Sequence, residues 1–317
     1  MEQKERFVIK TAQEVLKQVR QVIVGKDHIL VWALAAMLAK GHILIEDIPG
    51  VGKTTMALAF SKTLALEYNR VQFTPDVLPS DVTGYSVLDP KTGEMTYKKG
   101  AVLCNLFLAD ELNRATSRTQ SALLEAMEEG QVTVDGVTYP VPRPFIVIAT
   151  QNPTGAAGTQ LLPDSQMDRF MLRLSLGYPA AKDELAMLMG RQKGNPLTAL
   201  QPLLDHEGLC ALQQMVEETY AGELVSGYAV ELIHATRNHP LLQRGASPRA
   251  TLSMMALAKA IAQLRGRDYV LPEDVQEVFP RCMAHRVQLS AAGHSAGSDA
   301  EDVLQQILAS VAPPKLR

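Results

Sequence analysis

The sequence has few cysteines, and their arrangement limits what they can do. Cys104, Cys210 and Cys282 are odd in number, far apart and in no paired spacing. This pattern argues against a disulfide framework and against a cysteine-based zinc site, and it indicates a reducing compartment. The seven histidines show no metal-ligand spacing either, so each is interpreted as a surface or core side chain.

Long apolar runs and long basic runs are also missing. The longest apolar run, residues 29–39, is well short of the ~20 residues that a membrane-spanning helix needs, and the N-terminus lacks the apolar block of a signal peptide. Lys and Arg total 31 against 34 Asp and Glu, whereas proteins that act mainly on nucleic acid usually carry a basic patch. We therefore expect a cytoplasmic protein with no membrane span and with nucleic acid not its main partner.

The 317 residues have ordinary globular composition, 46% hydrophobic and 21% charged, and are enough for two domains. Short apolar runs alternate with helical segments, at 42–45, 70–73, 106–109, 145–149 and 170–176. Runs that are apolar on both faces suit a buried parallel sheet. The pattern therefore predicts an α/β domain over residues 1–190 with five parallel strands. Only helical segments follow, which predicts an all-α domain over residues 195–317.

Two segments interrupt the alternation of strands and helices. One contains Asp135 and Gly136, a pair that accepts the positive φ angles of a type I′ turn, and it predicts a β-hairpin at about 131–140. The other has a looser turn between two strand-like runs and predicts a hairpin at about 84–98. Insertions into a regular α/β pattern usually carry function rather than core packing. Both hairpins are therefore candidate functional elements.

A glycine-rich turn lies between the first predicted strand and a predicted helix. It consists of Pro49, Gly50, Val51, Gly52, Lys53, Thr54 and Thr55. The glycines let backbone N–H groups surround phosphates, the lysine reaches the β- and γ-phosphates, and Thr54 can ligate Mg²⁺. A strict phosphate-loop pattern has glycine six residues before the lysine, where this chain has Asp47. The alternative is an ordinary Gly/Pro turn, but the strand–loop–helix context favours a phosphate-binding loop.

Two carboxylates, Asp110 and Glu111, directly follow the apolar run 106–109. This places them at the strand's carboxyl end, where ligands bind in open α/β sheets. Asp110 suits Mg²⁺ coordination, and Glu111 suits deprotonation of a water that attacks the γ-phosphate. The alternative is a polar strand end without a function. The nearby phosphate loop favours the functional interpretation.

Asn152 and Arg169 each allow two interpretations. Asn152 follows an apolar run and either orients the same water or, with Pro153, simply initiates a turn. Arg169 immediately precedes the fifth predicted strand. It either pairs with the adjacent Asp168 or is presented to the γ-phosphate of a neighbouring subunit, as arginine fingers are.

Arg249 lies in the first turn of a predicted helix, with Ser247 as the N-cap and Pro248 at the first position. A cation there opposes the helix dipole. Arg249 is therefore either a solvated side chain that tolerates a small unfavourable energy or a ligand for an anion. The residues alone leave both interpretations open.

Beyond these features, several segments resemble the MoxR-type AAA+ ATPases, in the clade with an insertion in helix 2. They are LIEDIPGVGKTT (44–55), FTPDVLPSDVTG (73–84), ADELNRA (109–115), QSALLEAMEE (120–129), ATQNP (149–153), DRF (168–170), ATRNHP (235–240) and GASPRA (245–250). The resemblance implies an α/β P-loop NTPase core with a five-stranded parallel sheet, followed by an all-α lid domain. It also implies a homo-oligomeric ring, usually a hexamer.

The resemblance further implies Mg²⁺-dependent ATP hydrolysis by a chaperone that assembles, activates or inserts cofactors into partner complexes, often with a von Willebrand factor A domain protein. The implied roles are Lys53 and Thr54 in Walker A, Asp110 and Glu111 in Walker B, Asn152 as sensor 1, Arg169 as the arginine finger, Arg249 as sensor 2, and Val24 with Gly25 near the adenine. Both hairpins would face the pore of the ring.

Two alternative functions remain. One is a nucleic-acid-associated AAA+ motor, although the hairpins offer few basic residues, namely Lys91, Lys98, Lys99 and Arg143. The other is a scaffold that binds ATP without hydrolysing it. The presence of Glu111 and Arg169 argues against a scaffold of this kind.

Overall fold

The computed structural model describes residues 2–152, 162–192 and 194–315 of the chain. The elements of the first part are α1 (Glu2–Val19), α2 (Asp27–Leu38), β1 (Ile43–Glu46), α3 (Lys53–Thr63), β2 (Tyr68–Gln72), α4 (Pro79–Thr83), β3 (Gly84–Leu88), β4 (Met95–Lys99), β5 (Leu106–Asp110), α5 (Ser117–Glu129), β6 (Gln131–Val134), β7 (Val137–Pro140), β8 (Ile146–Gln151), α6 (Asp164–Met167) and β9 (Leu172–Leu174).

The second part is mainly helical. Its elements are α7 (Ala181–Gln192), α8 (His206–Glu217), α9 (Glu223–Asn238), β10 (Leu242–Arg244), α10 (Pro248–Leu264), α11 (Pro272–Met283), β11 (Gln288–Leu289), α12 (Ala291–Ser295) and α13 (Ala300–Ser310). Short 3₁₀ turns lie at Leu112–Arg114 and Pro196–Thr198. Each helix in the described ranges is too short or too polar to span a bilayer.

The central sheet has five parallel strands in the order β2–β5–β8–β1–β9. Strands β5 and β8 are buried along their whole length, as apolar strands in a parallel sheet covered on both faces should be. The predicted five-stranded parallel sheet is thereby confirmed. Strand β9 is shorter than the apolar run 170–176, and Phe170 and Leu176 at the ends of that run are buried outside the strand.

The two faces of the sheet carry different helices. Along β5, Leu106 and Leu108 belong to the same apolar cluster as Phe60 of α3, whereas Phe107 belongs to the cluster that contains Leu123 of α5. Because successive side chains of a strand point to opposite faces, α3 and α5 lie on opposite sides of the sheet. Side chains on α3 and on α5 of one chain are therefore separated by the sheet.

Two antiparallel hairpins extend from the α/β domain. Strands β3 and β4 pair over 84–99, and β6 and β7 pair over 131–140, with Asp135 and Gly136 both at positive φ in the turn. The rings of Tyr97 and Tyr139 stack between the hairpins, with centroids 3.8 Å apart and planes 11° from parallel. The Tyr97 hydroxyl donates to the Thr83 carbonyl. The two hairpins therefore contact each other through an aromatic pair.

The helical part packs against α1 and α2 of the α/β part. Side chains of α8, α10 and α11 belong to the same continuous apolar cluster as those of α1, α2 and α3. The expected helical domain is confirmed, with one addition, a two-stranded ribbon formed by β10 and β11. These strands span only three and two residues, which is too short for a periodic pattern in the sequence.

Candidate functional site

The phosphate loop connects β1 to α3 over residues 47–52. Gly50 has φ 88° and Gly52 has φ 99°, both in the left-handed region. A Cβ atom would meet nothing within 4 Å at Gly50 and only Ile23, at 3.9 Å, at Gly52. The backbone conformation, rather than lack of space, is therefore what requires glycine at these two positions.

Lys53 begins α3 and is buried, with 7% of its surface exposed. Its Nζ donates to the backbone carbonyl of Asp47, at 2.7 Å. Burial lowers the pKa of the Lys53 ammonium, and the negative charges of Asp47, Asp110 and Glu111 partly offset this effect. The structure thus brings the predicted Walker A lysine into the electrostatic field of the predicted Walker B pair.

Asp47, which departs from the strict phosphate-loop pattern, connects the loop to the segment after β9. Its Oδ2 accepts from the Gly177 backbone N–H at 2.7 Å and from the Ser175 hydroxyl at 3.2 Å. Its Oδ1 accepts from the N–H of Ile48 at 2.9 Å. A glycine would offer none of these bonds, so the departure from the pattern has a local structural role.

Asp110 ends β5 and has both carboxylate oxygens in hydrogen bonds. Oδ1 accepts from the Thr150 hydroxyl at 2.6 Å, and Oδ2 accepts from Nη2 and Nε of Arg70 at 2.7 and 3.2 Å. Arg70 lies on the neighbouring strand β2, two residues before Gln72, the register partner of Asp110. Sequence reasoning missed Arg70 and Thr150 because their approach depends on strand order, which no local motif reveals.

Glu111 follows Asp110 and has φ 56° and ψ 45°, a left-handed backbone conformation that is uncommon for residues other than glycine. Its backbone N–H donates to the Thr150 hydroxyl at 2.8 Å, which supports this geometry. Strained backbone of this type concentrates at functional sites, where the surrounding structure maintains it. Thr150 therefore orients both members of the acidic pair.

The Glu111 carboxylate accepts hydrogen bonds from two side chains. Asn152 Nδ2 donates to Oε1 at 3.2 Å, and Arg114 Nη1 donates to Oε2 at 2.9 Å. Burial raises the pKa of Glu111, but the hydrogen bonds from Arg114 and Asn152 outweigh it, so the pKa is lowered overall. The carboxylate is therefore ionised at neutral pH, as a proton acceptor must be. The expected proximity of Asn152 and Glu111 is present in the structure.

A cavity of about 390 Å³ adjoins the phosphate loop. The loop contributes residues 49–52 to its lining, and Val24 lines it together with residues 21–23. Tyr178, Pro179 and several residues of α7 close the other side. The apolar part of this lining suits a purine ring, and the glycine loop suits the phosphates attached to it.

Arg169 and Arg249 lie away from this cavity. Nη2 of Arg169 is 3.2 Å from the Glu128 carboxylate, and the guanidinium of Arg249 contacts the same carboxylate. Glu128 is on α5, on the face of the sheet opposite α3. The structure thus brings the two arginines together but places neither at the phosphate loop of its own chain. Within the described residues, Arg169 pairs with Glu128, whereas the carboxylate of the adjacent Asp168 pairs with Arg286.

The helix that carries Arg249 begins as expected. Ser247 is the N-cap of α10, and its hydroxyl accepts from the Ala250 N–H at 3.1 Å, with Pro248 at the first helical position. The unfavourable position of Arg249 in this first turn is balanced by an anion within the chain, the carboxylate of Glu128.

A phosphate loop after β1, an acidic pair after β5 and a helical domain after a five-stranded parallel sheet together define a P-loop NTPase of the AAA+ class. Comparison with known families agrees with this class. Residues 42–172 match the family described as "ATPase family associated with various cellular activities (AAA)", and residues 234–307 match the AAA lid domain.

Individual relatives refine the class to a family. The chain is 45% identical over 302 residues to the uncharacterised protein YeaC of Bacillus subtilis, covering 95% of this chain and 94% of the relative. It is 37% identical to the chaperone MoxR1 of Mycobacterium tuberculosis, covering 97% and 84%. A crystal structure of a candidate ATPase from Cytophaga hutchinsonii superposes with a TM-score of 0.92 at 36% identity, covering 99% and 98%. The chain belongs to the MoxR family of AAA+ ATPases.

Proposed function

We propose that the protein is a cytoplasmic, Mg²⁺-dependent ATPase that forms a ring, usually of six copies, and remodels a protein client. The observation that carries the proposal is the convergence of Lys53, Asp110, Glu111 and Asn152 beside the phosphate loop. These residues supply a phosphate-binding cation, an oxygen ligand, an ionised proton acceptor and an amide that contacts it. Together they are the set that hydrolysis of a phosphoanhydride needs.

The cavity and the phosphate loop would bind different parts of the nucleotide. The adenine would lie against Val24 and its neighbours, and the triphosphate would be bound by loop N–H groups and by Lys53. Thr54 and Asp110 would hold Mg²⁺, because a hydroxyl and a carboxylate are the hard oxygen donors that this ion prefers. When bound, the ion would neutralise charge on the phosphate oxygens.

Glu111 would accept the proton of the attacking water. Its lowered pKa keeps the carboxylate ionised, and its bonds from Asn152 and Arg114 fix its orientation. A carboxylate has about four lone-pair directions, so two hydrogen bonds leave room for a water. Asn152, 3.2 Å from Glu111, would orient that same water.

The placement of the arginines supports a site completed by a second copy. Arg169 and Arg249 meet at Glu128, on the opposite face of the sheet from the helix that begins at Lys53. This position supports the proposal that they reach the γ-phosphate bound by a neighbour rather than the one bound by their own chain. A ring of identical copies repeats one such interface around a closed circle.

The hairpins support a protein client over nucleic acid. The β3–β4 hairpin exposes large apolar side chains, including Leu88 at 57% and Met95 at 63% exposure, and the β6–β7 hairpin exposes Val137. Exposed apolar patches mark surfaces that bind proteins, whereas nucleic acid requires cations. A chaperone that works with a von Willebrand factor A domain partner and inserts cofactors or assembles complexes fits this surface and the family.

The test is ATP hydrolysis per subunit, measured against protein concentration in the presence of Mg²⁺. We expect the rate per subunit to rise and then reach a plateau, because Arg169 has to come from a neighbour. Glu111→Gln should still bind ATP but lose about 10²-fold or more in turnover, because it lacks the proton acceptor.

A mass measurement at each concentration serves as the control. A constant rate from a protein that is monomeric at the same concentrations would contradict the shared site. Absence of turnover by the unaltered ring, with ATP bound, would favour the scaffold instead.

A further inference from the structure

One carboxylate lies between two arginines that come from different parts of the chain. Arg169 precedes β9 in the α/β part, and Arg249 opens α10 in the helical part, yet both contact Glu128. The three side chains remain accessible, at 29%, 41% and 38% exposure. Two neighbouring guanidinium groups repel each other. A carboxylate between them attracts both and so offsets this repulsion.

The backbone segments of both arginines are also tied together. Asp168, next to Arg169, accepts from the hydroxyl of Ser247 at 2.8 Å, two residues before Arg249. The buried Arg286 of the helical part donates to the carbonyls of Asp168 and Phe170, each at 2.9 Å. The two arginines are therefore anchored at their backbones by one network and at their tips by Glu128.

We propose that Glu128 is a positioning residue that holds Arg169 and Arg249 at a fixed spacing for the triphosphate of the neighbouring copy. This inference rests on the proposed function. A guanidinium has five N–H donors, so a bond to Glu128 leaves others for phosphate oxygens.

It follows that Glu128 serves the site of the neighbour and not the site of its own chain. Loss of its charge should leave ATP binding unchanged and slow hydrolysis, because misplaced transition-state donors reduce turnover more than affinity. Glu128→Gln keeps the size of the side chain and removes the charge. Glu125→Gln, the same change one turn earlier on α5, is the matched control, since Glu125 is in no ion pair within the described ranges.

The first measurement compares the two variants with the unaltered protein. We expect Glu128→Gln to bind ATP within about twofold of the unaltered protein and to lose about tenfold or more in turnover at the concentration plateau. Its oligomeric mass and thermal unfolding should not change. Glu128→Asp, which keeps the charge on a shorter side chain, should recover part of the rate. Full turnover by Glu128→Gln, or an equal loss in Glu125→Gln, would overturn the proposal.

The second measurement mixes Glu128→Gln with Glu111→Gln. In a mixed ring, a Glu128→Gln subunit contributes an intact Glu111, and its Glu111→Gln neighbour contributes a correctly held arginine pair. The mixture should therefore hydrolyse ATP faster than the sum of its two components. Such recovery would not arise if Glu128 acted only within its own site or only on folding.

A mixture of Arg169→Ala with Glu111→Gln distinguishes the role of Glu128 from the existence of a site shared between subunits. Recovery in that mixture without recovery in the Glu128→Gln mixture would overturn the role of Glu128 and leave the shared site intact. Recovery in neither mixture, from variants that still form rings, would contradict the shared site itself.

Discussion

At the residue scale, side chains from two other strands orient Asp110, the candidate metal ligand. Thr150 on β8 binds one oxygen of Asp110, and Arg70 on β2 binds the other with two N–H groups. Groups that hydrogen-bond a metal ligand fix its orientation, and their loss typically reduces metal affinity by about 10–100-fold. Arg70 is thus expected to support metal binding indirectly, by fixing the orientation of the Asp110 carboxylate.

We expect Arg70→Ala to raise the Mg²⁺ concentration that half-saturates ATP binding by about tenfold, because Asp110 loses two of its three donors. Arg70→Lys should give a smaller effect, since it restores the charge but not the paired geometry. The measurement is a Mg²⁺ titration of the binding of a fluorescent ATP analogue. A fall in the half-saturating concentration for Arg70→Ala would mean that the guanidinium competes with the metal instead.

The part of the site that could be predicted lies in contiguous motifs. Lys53 was predicted because it lies where a glycine-rich loop meets a helix, and Asp110 and Glu111 because they lie where a strand ends, and periodicity and composition change at both places. Arg70 and Glu128 could not be found in this way. Their partners are distant in sequence, and the contacts depend on strand order and on how the helical part packs, which one sequence does not reveal.

At the element scale, the two hairpins contact each other through the stacked rings of Tyr97 and Tyr139. The sequence predicted both hairpins from their turns but not this contact, since aromatic pairs depend on the relative placement of separate strands. A stacked aromatic pair contributes about 0.5–1.5 kcal/mol beyond the area that it buries. Movement of one hairpin should therefore be transmitted to the other.

We expect Tyr139→Leu to increase hydrogen exchange of backbone amides in the β3–β4 hairpin, although the substitution is in β7. An opening free energy lower by about 1 kcal/mol corresponds to roughly fivefold faster exchange. Thr138→Ala, at the adjacent position facing away from the stack, is the control and should leave β3–β4 unchanged. Exchange confined to β6–β7 in Tyr139→Leu would show that the hairpins open independently.

At the scale of the whole molecule, the two sequence-defined parts share one core. The predicted boundary near residue 190 marks where strand signals stop, but the helices beyond it pack onto α1 and α2. Gln213 of α8 donates to the Met37 carbonyl of α2 at 2.8 Å, and the Arg281 guanidinium of α11 lies 4.7 Å from the Trp32 ring centroid. The end of the strand signals near residue 190 therefore does not mark a boundary between two separate hydrophobic cores.

We expect the chain to unfold in a single transition, because separating the two parts would expose an apolar core that both contribute. Trp32, the only tryptophan, is 4% exposed beside α11 and reports directly on this contact. Its fluorescence and the far-ultraviolet circular dichroism should follow the same urea curve, which is the test of a cooperative transition.

Arg281→Gln provides the control for this experiment. It removes a cation–π contact of about 0.5–2 kcal/mol, and in a cooperative molecule both signals should move to lower urea together. If Trp32 instead became exposed while the helical signal persisted, the two parts would unfold separately. The ion pairs of Glu128 join the two parts at a second place, because Arg249 belongs to the helical part and Arg169 and Glu128 to the other. A single transition would therefore mean that this cluster is lost together with the packing between the two parts.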